Sequence, residues 1–254
     1  METRFRTLTL IPSVGLLVAL VLLVAPIPAM AQSASFAVSQ NGKPVGTASF
    51  SFASKPGGYD SSSVVHVDMQ GLSYQLSKNE DLSLSNGLLH VQLSAIVNSS
   101  AVNVVAKPDA AQFLMNISAN GRSSTTRLDA HNLTVFLPDF DPGALETLLA
   151  MAASSNNRDL WAIIPKQAGS IEPVQLATFP DEKGTLDGKT IVTHHLVATI
   201  AGNTTDLFAG PENQLLQAEL PQQGFAMVRK GFVLTPPARP LAPPPAPATT
   251  APAQ

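Results

Sequence analysis

The chain of 254 residues contains no cysteine. That excludes disulfides, thiolate metal sites, cysteine nucleophiles and a lipid carried on a cleavage-site cysteine. Charge is sparse: Asp, Glu, Lys and Arg make up 13% of residues, and the formal net charge is −3. Such a surface does not attract a phosphate backbone, so nucleic acid is not an expected partner. Aromatics are few, with one Trp and two Tyr. Without disulfides the fold must be held by its core, and about 200 residues is enough chain for one. No Gly-x-Ser-x-Gly stretch is present, so the nucleophile elbow of exported esterases is missing.

The longest apolar run, Ile11 to Val24, sits near the start. Arg4 and Arg6 precede it, Pro26-Ile27-Pro28 breaks it, and Ala29-Met30-Ala31 supplies a small-x-small cleavage site. This order predicts a signal peptide over residues 1–31, cut after Ala31. The run falls short of the ~20 residues that a spanning helix needs. The expectation is an exported protein, periplasmic or extracellular, with no integral membrane span after cleavage. Thirteen basic and seventeen acidic residues then remain. A lysine-poor, Ala/Leu/Pro-rich composition points to a bacterial source. The sequons at Asn98, Asn116, Asn132 and Asn203 accordingly read as turn and strand residues, not glycan acceptors.

Residues 236–254 hold eight prolines and six alanines, with Arg239 as the only charge. That composition cannot bury a core and predicts an extended, disordered tail. Its PxxP spacing, Pro240 to Pro243, has no cytosolic reader outside the cell and reads as spacer. Between them, residues 32–235 alternate with period two. Val65, Val67 and Met69 alternate with His66, Asp68 and Gln70. Leu89, Val91, Leu93, Ala95 and Val97 alternate with His90, Gln92 and Ser94. Phe113, Met115 and Ile117 follow, then Val192, His194, Leu196, Ala198 and Ile200. Each set predicts a strand with one core face. Asn41-Gly42, Pro56-Gly57-Gly58, Asn86-Gly87, Asn120-Gly121 and Asp187-Gly188 supply tight turns between strands. One segment differs. Asp141-Pro142 reads as an N-cap with proline at the first helical position, and Leu145, Leu148, Leu149 and Ala152 form one helical stripe. A helix this short needs the sheet to pack on. The predicted fold is a single mainly β (α+β) domain, a curved antiparallel meander or half-barrel wrapped around one central helix at about 142–153.

Phe36-Ala37-Val38, Asn41-Gly42-Lys43 and Val45-Gly46-Thr47 resemble the opening hairpin of a group of secreted bacterial proteins of unknown function. Asp206-Leu207-Phe208, the stretch Asn213 to Pro221, and Gly224 to Arg229 are similar to their closing strands. The resemblance spans most of residues 34–235. It implies a half-barrel around a helix, similar in architecture to the periplasmic lipoprotein carriers LolA and LolB, and it brings no catalytic residues with it.

The remaining candidates for chemistry are weak. Gly184 to Thr190 resembles a phosphate loop but has three residues between its glycines where four are needed, and it leads into a strand; it reads as a hairpin turn. His194 and His195 are adjacent in a strand and point to opposite faces, so they cannot share a metal ion. His194 is expected on the apolar face with Val192 and Leu196. His66 and Asp68 read as a solvated face without a third ligand. Asp139 and Asp141 could serve as an acid–base pair, but Asp141 has the simpler role of helix cap. No catalytic residue, metal or cofactor follows from the sequence, and the chain reads as non-enzymatic. An apolar ligand held between sheet and helix would be lined by Phe50, Phe52, Phe113, Phe136, Leu145, Leu148, Trp161 and His194, residues that any core also needs. The expected role is a secreted binding module for lipid, lipoprotein or another envelope component. The alternatives are a structural or interaction protein of the envelope and, behind it, a hydrolase.

Overall fold

A computed structural model describes residues 32–155, 159–166 and 169–235. The expected signal peptide and the Pro/Ala-rich tail lie outside the described residues. The first eight strands form an antiparallel meander: β1 (Gln32–Gln40), β2 (Lys43–Lys55), β3 (Gly58–Met69), β4 (Leu72–Ser83), β5 (Leu88–Val97), β6 (Ser100–Asp109), β7 (Gln112–Ala119) and β8 (Arg122–Asp129). A short β9 (Leu133–Phe136) leads to the helix α1 (Pro142–Ser155). Then come β10 (Leu160–Ile164), β11 (Ser170–Thr178), β12 (Glu182–Leu186), β13 (Lys189–Ile200), β14 (Asn203–Ala209), β15 (Leu215–Leu220), β16 (Phe225–Arg229) and β17 (Phe232–Leu234).

The two halves join through β1, which pairs with β2 on one side and with β16 on the other. From β16 the sheet continues through β15, β14, β13 and β11 to β10, which takes β9 as a parallel neighbour. The result is a mainly β fold with one open, curved sheet and one helix among the described residues. No helix among them is long and apolar enough to cross a membrane. Tight hairpins follow from residues that tolerate positive φ: Asn41 and Gly42 at 48° and 75°, and Asp187 and Gly188 at 49° and 77°.

Along each meander strand alternate side chains enter one core. Phe36, Val38, Phe50, Val65, Val67, Leu76, Val91, Leu93, Val104, Phe113 and Met115 are all buried. Asp141 caps α1 as expected, its Oδ1 accepting from the Gly143 and Ala144 amides at 2.9 and 3.2 Å. The stripe Leu145, Leu148, Leu149 and Ala152 is buried, and so are Ala144, Glu146, Thr147 and Met151. The helix is enclosed on nearly every side because β2, β3, β9, β10 and β15 all pack on it. It runs to Ser155, two residues beyond the expected end.

Two expectations need correction. Leu89 points outward, 47% exposed, because a register shift at Asp81/Leu82 sets Leu88 opposite Leu82 and His90 opposite Asp81. In β13, Val192 is 49% exposed while Thr193 is fully buried, so Val192 and His194 do not share a core face with Ala198 and Ile200. The strand changes neighbours along its length. Its first half pairs with β12, itself covered by β17, and its second half pairs with β11.

Candidate functional site

The underside of α1 carries the densest chemistry. In β4, Tyr74, Leu76 and Leu82 point into the core, and Lys78 and Glu80 occupy the two inward positions between them. Lys78 is fully buried, Glu80 3% exposed and Asp141 1% exposed. Lys78 Nζ lies 2.5 Å from Asp141 Oδ2 and 2.9 Å from Glu80 Oε2. Across the ladder, Ser63 stands opposite Lys78 and Ser61 opposite Glu80, both buried. Gly143 makes this approach possible. A Cβ there would meet Ser63 Oγ at 2.4 Å and Phe50 Cβ at 3.1 Å.

Burial pushes the Glu80 carboxyl up to about 7, against the opposing pull of Lys78. Burial by itself disfavours the Lys78 ammonium, but Asp141 and Glu80 outweigh it and its pKa is raised. The sequence reading missed this cluster. The signal was present, in two charges that continue the inward parity of Tyr74, Leu76 and Leu82.

Three clefts flank the helix. The first, about 310 Å³, opens at its N-terminal end between Leu137, Phe140, Leu145, Ile164, Ile200, Leu220 and Met227. At its rim Asp139 pairs with Lys166 at 2.9 Å. Asp139 and Asp141 both border this cleft, Asp139 in the rim ion pair and Asp141 at the helix cap beside Lys78. The second, about 560 Å³, is bordered by Gln32, Phe52, Tyr59, Glu146, Thr147 and Ala150. Glu146 accepts from the Leu215 amide at 2.6 Å and from Gln32, and burial raises its pKa against those bonds. The third, about 270 Å³, lies by Leu149, Ala152, Ala153, His194 and Leu196.

The expected ligand-lining residues thus separate. Phe52, Leu145 and His194 border three different clefts. Phe50, Phe113, Phe136 and Leu148 are buried and border none of these three. Trp161 is half-buried and stacks on His131, with ring centroids 3.6 Å apart. His194 is not a core histidine; its side chain is 44% exposed and lies 3.0 Å from Asp181.

The more enclosed histidine is His195, whose side chain is 16% exposed. Its ring stacks on Phe208 at 4.6 Å. Nε2 lies 2.8 Å from Asp206 and Nδ1 3.6 Å from Glu182. Only the Asp206 contact is within hydrogen-bond distance. No group of three or more His, Asp or Glu among the described residues is placed to hold a metal ion.

Comparison with protein-family models, curated proteins and solved structures returned no match to this chain.

Proposed function

We propose that the protein is an exported, non-enzymatic binding module of the bacterial envelope, a half-barrel that holds the apolar part of an amphipathic ligand beside its helix. The observation that carries this reading is the cleft at the N-terminal end of α1. Its walls come from α1, β10, β13, β14, β15, β16 and the loop before the helix; Asp139, Asp141, Lys166, Asn203, Thr205 and Gln223 stand among an otherwise apolar lining. At about 310 Å³ it matches the lower end of small-molecule sites. The Asp139–Lys166 ion pair at the rim would meet the polar end of the ligand while an acyl or similar chain lies on Leu145, Ile200 and Met227. The signal-like order of residues 1–31 supports a ligand met in the envelope or the medium.

Native mass spectrometry of protein purified from an exporting bacterial host tests this reading. A co-purifying lipid that is released by Ile200→Trp, which fills the cleft, is the expected outcome. A ligand-free protein, or a ligand retained by Ile200→Trp, would count against it.

A further inference from the structure

The buried cluster under α1 has the parts of a self-acylation site. We propose that Lys78 and Asp141 condense to an intramolecular isopeptide bond, with Glu80 as the acid–base catalyst. The nucleophile and the electrophile are already in contact, Lys78 Nζ lying 2.5 Å from Asp141 Oδ2. Glu80 Oε2 lies 2.9 Å from the same nitrogen. The opposite oxygen, Asp141 Oδ1, receives the Gly143 and Ala144 amides at 2.9 and 3.2 Å. Those two N–H groups form an oxyanion hole for charge developing on Oδ1. All three ionisable side chains are more than nine-tenths buried. Pro142 follows Asp141 and has no N–H, so the carboxyl cannot lose water to the next backbone amide. Lys78 is the available nucleophile.

The step balances without an oxidant or a cofactor. Lys78 gives a proton to the Asp141 carboxylate within their ion pair and becomes a neutral amine. Its lone pair attacks Asp141 Cγ, and the carbonyl electrons move to Oδ1, held by the two amides. The Glu80 carboxyl delivers its proton to the departing Oδ2 and takes one from the nitrogen. Oδ2 leaves as water, the carbonyl re-forms at Oδ1, and Glu80 returns to its starting state. The product amide keeps the helix cap through Oδ1 and removes two charges from the interior, where an ion pair is costly to hold. It also ties β4 to the start of α1, a constraint that the chain has no cysteines to supply.

Intact-mass measurement and tryptic mapping of the purified full-length protein test this. The expected mass is one water below that of the same chain's sequence. Trypsin should fail to cut after Lys78, and one branched peptide should carry both Lys78 and Asp141. Lys78→Arg and Asp141→Ala should return to the full sequence mass, and Glu80→Ala should lose most of the cross-link. A folded wild-type protein at full sequence mass overturns the proposal, as does water loss with Lys78 still cleaved. Undiminished cross-linking in Glu80→Ala overturns the role given to Glu80.

Discussion

Lys78 and Glu80 fill positions that the alternation of β4 reserves for apolar side chains, and each depends on the other groups of the cluster. Removing the cation leaves the Asp141 and Glu80 carboxylates buried without their partner. Lys78→Met should therefore lower the unfolding free energy by about 3–5 kcal/mol relative to Lys78→Arg, which keeps the cation without the cross-link, measured by urea denaturation. The pH dependence has an unusual sign for a carboxylate. Glu80 has a folded pKa of about 7 against 4.5 for the free side chain, so the folded state holds this proton more tightly than the unfolded one. Its contribution is fully present below about pH 4.5 and is lost as pH rises through 7. Stability of the uncross-linked Lys78→Arg chain should fall across that window, and adding Glu80→Gln to it should flatten the fall. Glu146, also raised by burial, leaves a residual slope of the same sign in the variant. An unchanged slope on adding Glu80→Gln would contradict the assignment. The cap role of Asp141 was legible from Asp141-Pro142. Its ionic partner was not, because Lys78 is distant in sequence and only the tertiary fold brings them together.

At the scale of the element, α1 shows why a hydrophobic stripe underestimates burial. Leu145, Leu148, Leu149 and Ala152 marked one face, but the curved sheet also encloses Glu146, Thr147 and Met151. Glu146 is tolerated there because the Leu215 amide and Gln32 satisfy its oxygens. The first turn of the helix sits so close to β2 and β3 that a Cβ at 143 would crowd Ser63 Oγ and Phe50 Cβ. Gly143→Ala should cost about 1–3 kcal/mol by overpacking against Ser63 and Phe50, read as a shift in thermal midpoint. A neutral or stabilising result would mean that the helix can move away from the sheet. Hairpins were legible where Asn-Gly or Asp-Gly marked them. The turn at Ala201-Gly202 was not, since Ala201 takes a φ of 49° without a side chain that favours it. His194 of β13 was misplaced for a different reason. Simple alternation assumes one set of neighbours, and β13 exchanges β12 for β11 midway.

For the whole molecule, the β-rich meander and its single helix could be read from period-two patterns and turns. The closure of the two halves could not. β1 pairs with β16 from the far end of the chain, and β9 pairs in parallel with β10 across the helix. Neither pairing leaves a local mark in the sequence. This closure creates the cleft, because Ile164, Ile200, Leu220 and Met227 meet Leu145 only after the late strands have returned to β1. The binding reading therefore stands on one place in the fold, and a fluorescent acyl-chain probe titrated into wild-type protein and Ile200→Trp tests it most directly. Saturable binding at one site in the wild type, with loss of that binding in a folded Ile200→Trp variant, is the predicted result. Absence of binding to the wild type, or equal binding to both proteins, would contradict it.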